Sequence, residues 1–302
     1  MASRLTENIE FITKSNRAPI YGLVKEPIVP LHASIEHCQI HVPEFAGIDL
    51  LMAVAVALEI SSEKSAIDRS PLSINEAAAI YFYTMETPFY KVFSASLRSE
   101  DRTKIAPFLK YLKLLLSALY LLPLAPYLTT VYRGLTKLHL IDAYPKGHQF
   151  IWWQFSSCTA SIEVLGGKFC GKSGKRTQFL ISTRQIVDIR KYSHFHDEDE
   201  RLILPGMRFQ VKSSTDMGNG LCQIQLEEVS ETKPLLDYIH PALLDKPLKE
   251  PGEGIISPPT DKVEESQSGC CGGHRGQKKK TDNNDSEIIV SVEPHYQPPH
   301  SV

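Results

Sequence analysis

"LLLSALYLLPLAPYLTTVY", Leu114 to Tyr132, carries no charged residue over 19 positions. A run of that length and character is long enough to be weighed as a bilayer-spanning helix. Pro123 and Pro126 cut it in two. Proline removes a backbone donor and pushes the preceding residue out of the α region, so the helix is predicted to stop near Leu122. "DRTKIAPFLKYLK", Asp101 to Lys113, leads into the run with helical spacing, and "LTTVY" leaves it with β-branched and aromatic residues. The stretch is therefore read as a buried helix, an extended turn and a strand. The chain changes character at this point, and the fold class follows from the change.

Upstream the texture is helical. "IDLLMAVAVALEI" (48–60) reads as a mostly buried helix. "SINEAAAIYFYTME" (73–86) has Ser73 as N-cap and Glu76 three residues later, the pattern of a capping box. "TPFYKVFSASLRSEDR" (87–102) supplies an amphipathic stretch, and 102–122 the last helix. Downstream, "LTTVYRG", "QFIWWQFSS", "ASIEVLG", "TQFLIST", "ERLILPG", "MRFQVKSS" and "GLCQIQLEEV" are short runs punctuated by Gly, Asp, Ser or Lys. They read as strands of an antiparallel-rich sheet. Helices first and strands second is an α+β order.

The chain of 302 residues is 42% hydrophobic and 23% charged, with a net charge of -2. That composition fits an ordinary globular protein and offers no global basic surplus for nucleic acid. The six cysteines (Cys38, Cys158, Cys170, Cys222, Cys270, Cys271) follow no zinc-finger or small-secreted-domain spacing. The opening "MASRLTENIEFITKSNRAP" is polar and has no apolar signal-peptide region, so a cytoplasmic location is expected. Residues 1–26 are expected to be a flexible extension and 27–236 a single domain, helical over 27–122 and β-rich over 127–236. Beyond about Lys246 the sequence is rich in Pro, Gly, Ser and charge, and 237–302 is expected to be a mostly disordered tail. No internal repeat is found.

Three groups of residues invite a chemical reading. "GGKFCGKS", Gly166 to Ser173, matches the phosphate-loop pattern, with "SIEVL" in the place of the preceding strand. The mechanism needs a helix directly afterwards, but "GKRTQFLIST" is β-type, so the segment reads as a hairpin with a basic turn from Lys168 to Arg176. His194, His196, Asp197 and Glu198 have metal-ligand side chains, yet no separated segment offers them a partner ligand. The third group lies in three pieces. Arg133 ends a strand in "TVYRG", Ser157 lies in "WWQFSSCTAS", and Glu198 and Glu200 enter an apolar strand in "EDERLILPG". Each alone has a plain structural reading; their order and positions at strand ends set them apart.

Taken together, the order Arg, Phe-x-Ser-Cys-Thr and Glu-x-Glu before an apolar strand and proline resembles the arginine-specific mono-ADP-ribosyltransferases, the R-S-E class of the toxin-like group. "INEAAAIYFYTMETPFYKVFSASLRSEDR" and "YLKLLLSALYLLP" are similar to the helical region of its eukaryotic members, so the resemblance runs from about Pro27 to Leu236. It implies an ADP-ribosyltransferase-type fold and transfer of ADP-ribose from NAD, or NADP, to arginine side chains of proteins, with release of nicotinamide and no metal.

By the same resemblance Glu200 is the catalytic glutamate, stabilising an oxocarbenium-like state, and Glu198 selects and deprotonates the acceptor guanidinium. If the segment is extended, Glu198 and Glu200 share a face and Asp199 points away. Arg133 is implied to hold the phosphates, Gly134 to let the backbone approach the nicotinamide, and Ser157 to support Glu200 and the ribose. Tyr192 and Phe195 fall in the acceptor loop. Ser157-Cys158-Thr159 departs from the family's Ser-Thr-Ser, which leaves the last two roles open. Signal-peptide and lipid-anchor signals of the cell-surface members are missing, while Cys270 and Cys271 near Lys278, Lys279 and Lys280 offer a weak membrane contact. A catalytically silent NAD-binding domain, an NAD glycohydrolase and a phosphate-loop hydrolase are the alternatives.

Overall fold

In the computed structural model the described residues are 18–125, 127–164, 170–195, 199–229 and 235–236. The tail from 237 onward, with Cys270, Cys271 and the nearby lysines, lies outside them. Among the described residues five helices precede the sheet: α1 (Leu31–His41), α2 (Leu50–Ile67), α3 (Ile74–Thr84), α4 (Pro88–Arg98) and α5 (Leu109–Leu121). Strands β1 (Thr129–Thr136), β2 (Gln149–Trp152), β3 (Ser156–Thr159), β4 (Arg176–Thr183), β5 (Ile186–Asp188), β6 (Glu200–Ile203), β7 (Met207–Gly218) and β8 (Leu221–Glu228) follow. The α+β order holds, and no helix among the described residues is long and apolar enough to cross a membrane.

Helix α5 ends at Leu121, beside the first proline, and is buried along most of its length. Beyond it, Leu124 bridges Val187 and the Ala125 N–H donates to the Ile186 carbonyl, so the extended turn is pinned to β5. Ser73 forms the capping box: its Oγ accepts from the Glu76 N–H, and Glu76 Oε2 accepts from the Ser73 N–H at 2.9 Å. Helix α4 begins with Pro88 at a position where a missing N–H costs nothing. It buries Phe89, Phe93 and Leu97 at four-residue intervals. Phe89 and Phe93 meet Phe108 and Tyr111 in aromatic contacts, and Phe93 and Tyr83 reach Phe155 between β2 and β3. The helical core therefore bears directly on the strand that carries Ser157.

Several local expectations change. The helix at 48–60 is half-exposed rather than mostly buried: it buries Leu50, Val54, Ala57 and Ser61 on one side while the apolar Met52 and Val56 face outward, Met52 69% exposed. "QFIWWQFSS" is two strands, not one, with a break at Trp153–Phe155. Residues on both sides of the break are buried, so no alternation marks it. There the Arg102 guanidinium stacks 4.1 Å from the Trp153 ring and Arg98 donates to Gln154. The described part of "ASIEVLG", 160–164, is not a strand; Ile162–Val164 form one helical turn. The three-residue β5 was not anticipated. Nor are residues 18–26 a flexible extension. Ile20 and Leu23 are fully buried, the Ile20 N–H donates to Leu235 O at 2.8 Å, and Lys113 Nζ donates to the carbonyls of Val24 and Glu26.

The sheet order is β2-β7-β8-β4-β1-β3-β6-β5. Every pair is antiparallel except β4–β8. Strand β1 pairs with β4 over its whole length but meets β3 only at Tyr132↔Thr159. The sheet thus falls into two parts that touch at one position and separate beyond it, and Arg133 is the next residue. Replacing Ser73 by Ala removes the cap of α3 and is expected to lower stability by about 1 kcal/mol, read from urea unfolding followed by far-UV circular dichroism.

Candidate active site

Strand pairing sets which side chains share a face. Thr159 stands opposite Glu200, Ser157 opposite Leu202 and Cys158 opposite Arg201. Paired residues project to the same side and alternate along each strand, so Glu200, Thr159 and Ser157 face one way, Cys158 and Arg201 the other. The two hydroxyls of the Ser-Cys-Thr departure thus lie on the carboxylate's side of the sheet, and the thiol is turned away. Burial pushes the Cys158 thiol up to about 12, with Arg133 opposing and Glu200 adding to the rise, so it stays protonated and is no nucleophile at neutral pH.

Glu200 has no exposed surface. A carboxylate so placed needs hydrogen-bond donors, because desolvation penalises its charge. Ser193 Oγ–H donates to Glu200 Oε2 at 2.6 Å, and Ser193 is itself fully buried. Ser193 Oγ also accepts from the Phe195 N–H at 3.1 Å, while the Ser193 N–H donates to Ile189 O. Ser193 was missed in reading the sequence. Its signal was available, since it is the one Ser or Thr between Ile189 and Asp199.

Across the split, Arg133 is 4% exposed and its Nη1 donates to the Ser157 carbonyl at 2.9 Å. This guanidinium grips β3 where β1 and β3 part. Gly134 follows it in β1, paired with Gln178 of β4. Ser157 Oγ is buried without a hydrogen-bond partner among the described residues. An orphaned hydroxyl one pleat from a buried carboxylate is a ready partner for a polar ligand group such as a ribose hydroxyl.

The structure places Arg133 and Gly134 on β1 and Ser157 on β3, on either side of the split, and Glu200 one strand further on, at the start of β6. Glu198, like His196 and Asp197, lies outside the described residues. The premise of an extended run into Glu200 does not hold at Asp199, which sits at φ 44° with β6 starting only at the next residue. Asp199 does point away from the site, toward Arg190 and Arg201. Tyr192 is half-buried with its hydroxyl 2.8 Å from Ser70 Oγ, and Phe195 meets the His194 ring edge-on. The His194 ring is engaged through Nδ1 with the Tyr81 hydroxyl at 2.9 Å. Among the described residues no group of three or more His, Cys, Asp and Glu is placed to hold a metal. The basic turn runs directly into strand β4 rather than into a helix; residues 165–169 of the phosphate-loop match are outside the described set.

The family model for NAD:arginine ADP-ribosyltransferases matches residues 59–234, more than half of the chain. The chain belongs to that family. A search of curated proteins finds no match. Among solved structures, the eukaryotic mono-ADP-ribosyltransferase ART2.2 aligns at 20% identity over 74% of this chain and 96% of its own, with a TM-score of 0.51. A glutamate-to-isoleucine variant of ART2.2 in complex with NAD aligns at 20% identity over 73% and 95%, with a TM-score of 0.50. The Vis toxin of Vibrio splendidus aligns at 23% identity over 59% and 85%, with a TM-score of 0.42. At these identities the two ART2.2 structures establish a shared fold. The ADP-ribosyltransferase therefore uses NAD as its co-substrate, and its site chemistry rests on the geometry above.

In this ADP-ribosyltransferase, removing the Ser193 hydroxyl strips a donor from a buried carboxylate, a loss of about 2 kcal/mol for a charge-assisted bond. Ser193→Ala is expected to lower kcat/KM for nicotinamide release by more than about tenfold and to lower the melting temperature by roughly 4–8 °C. Initial rates of nicotinamide formation check this.

Proposed function

We propose that this chain transfers ADP-ribose from NAD to arginine side chains of proteins, with Glu200 as the catalytic carboxylate. The observation that carries the assignment is the fully buried Glu200, held by Ser193 and sharing a face with the unpartnered hydroxyl of Ser157. A carboxylate kept out of water at such cost, beside an unspent hydroxyl, favours an active site over a silent binding domain.

The bond that breaks joins the nicotinamide nitrogen to the ribose C1. Nicotinamide leaves with the bonding electron pair, and positive charge grows on the ribose. Glu200 then interacts more strongly with the transition state than with the ground state, which accelerates the step. Ser157 contributes a hydrogen bond to the ribose hydroxyls that tightens as the charge develops. The backbone at Gly134 presents its peptide groups to the nicotinamide amide without a Cβ in the way. Arg133 acts as a positioning residue through its grip on the Ser157 carbonyl, and its charge favours the anionic dinucleotide.

A guanidino nitrogen of the acceptor forms the new bond to C1 and loses a proton. We assign Glu198 to clamp that guanidinium and take the proton, and the aromatic rings of Tyr192 and Phe195 to the wall of the acceptor site. ART2.2 and Vis belong to structures described with NAD and with agmatine respectively, which agrees with this pairing of donor and acceptor. The phosphorylated dinucleotide NADP is included in the proposal, because the bond that breaks is the same. Water in the acceptor's place gives NAD hydrolysis from the same Glu200.

With NAD and a small guanidino acceptor such as agmatine, Glu200→Gln is expected to abolish both nicotinamide release and adduct formation. Glu198→Gln is expected to keep hydrolysis while losing transfer. Chromatography of nicotinamide and of the ADP-ribosylated acceptor separates the two outcomes, and full activity in Glu200→Gln would overturn the assignment.

A further inference from the structure

On the face of β6 opposite Glu200, four side chains form a closed ring of alternating charge. Asp188 ends β5 and stands directly across from Arg201 on β6. Arg190 Nε donates to Asp188 Oδ1 at 3.0 Å and Arg190 Nη2 to Asp188 Oδ2 at 2.6 Å, while Arg201 pairs with the same Oδ2. Asp199 Oδ1 lies 3.1 Å from Arg190 Nη1 and 3.3 Å from Arg201 Nη2. Both arginines therefore bridge both aspartates. Burial raises the Asp188 carboxyl, but its bonds to Arg190 and Arg201 outweigh that and hold it down at about 2, so Asp188 is charged at neutral pH.

The ring sits at a particular place in the chain. Asp188 and Arg190 open the loop between β5 and β6, and Asp199 and Arg201 close it. Asp199 is also in the left-handed conformation, at φ 44°. Such a backbone is unfavourable for a residue with a side chain and persists where surrounding contacts enforce it. Here the enforcing contacts are the two arginines. The loop they close holds Ser193, which reaches back to Glu200, and its last residue before Asp199 is Glu198.

We infer that the Asp188–Arg190–Asp199–Arg201 ring is a clasp at the base of the acceptor loop, and that it sets how the enzyme divides ADP-ribose between arginine and water. The inference rests on the assignment of Glu198 and Glu200 above. The clasp ties Asp199, which stands between the two glutamates in sequence, to Arg190 at the start of the loop, so loosening it harms the acceptor side most. Glu200 is also held by β6 pairing, whereas Glu198 precedes the left-handed residue. Asp199 and Arg190 are thus positioning residues, although the sequence reading has Asp199 only pointing away from the two glutamates.

The test uses the full chain with NAD, with and without agmatine, and compares transfer with hydrolysis. Asp199→Asn and Arg190→Gln are each expected to lower the transfer-to-hydrolysis ratio about fivefold, the scale of a partly exposed ion-pair network. Asp199→Gly, which adopts the left-handed backbone freely, should lose as much, because the charge is gone. The Asp199→Asn/Arg190→Gln double variant should cost no more than either single one, since both open the same ring. In wild type, 1 M salt, where the screening length is about 3 Å, should lower the ratio toward that of Asp199→Asn and leave the variant unmoved; a purely structural residue would not respond this way. Amide exchange over Ile189–Phe195 should rise in Asp199→Asn, a readout independent of NAD chemistry.

An unchanged ratio and unchanged exchange in Asp199→Asn overturn the clasp, as does a wild-type ratio in Asp199→Gly. If Glu200→Gln keeps its activity, the site assignment fails instead, and the exchange and salt measurements still judge the ring.

Discussion

Burying Glu200 is the constraint on which the rest of this fold turns. A carboxylate with no exposed surface is tolerated only where donors reach it, and one such donor is Ser193, seven residues upstream. To bring Ser193 there, the chain must leave β5, fold back on itself and re-enter the sheet at Glu200. Its hydrogen bonds to Ile189 O make that return compact. The helical layer contributes as well, since Thr84 Oγ1 accepts the His194 N–H and the Tyr81 hydroxyl meets the His194 ring. Helix α3, fixed at its start by Ser73 and Glu76, thereby braces the loop that steadies the carboxylate.

The second organising feature is the single point at which β1 touches β3. Continuous pairing would have filled the space beside Ser157 with sheet. Instead, β1 stays with β4 and leaves β3 to β6, and Arg133 spans the parting strands through the Ser157 carbonyl. The fold can afford this opening because the aromatic cluster of α4 and α5 presses on Phe155 and holds β3 from the helical side. A cleft is thus built by withholding backbone pairing at one place and supplying packing at another.

Much of this was written in local sequence. The proline break after Leu122, the Ser73–Glu76 capping box and the strands flanking Arg133 and Glu200 depend on near neighbours, and such signals survive without a structure. The order of Arg133, Ser157 and Glu200 made the family resemblance readable. Features set by distant contacts were hidden. Phe150 to Ser157 is buried on both sides of its break, so no periodicity marks where β2 ends. Ile20 looks like part of a loose leader until Leu235 is placed beside it. The left-handed turn at Asp199 has no compositional mark, and assuming an extended strand there gave the right direction for Asp199 from a premise that does not hold. Ser193 was overlooked because charged neighbours drew attention from a small hydroxyl.

The contact between Ile20 and Leu236 gives the molecule another property. These two residues, 216 positions apart in numbering, meet in a parallel bridge, and Ile20 donates to Leu235 O. The stretches that bound the catalytic unit are therefore fastened to each other at one spot, with Lys113 and Arg102 of the helical layer holding the first of them by its carbonyls. Such a seam makes the unit a closed circuit rather than a string with two loose ends. Trimming either flank would fray the other, whereas joining the flanks and opening the chain at a surface turn elsewhere would leave the circuit intact.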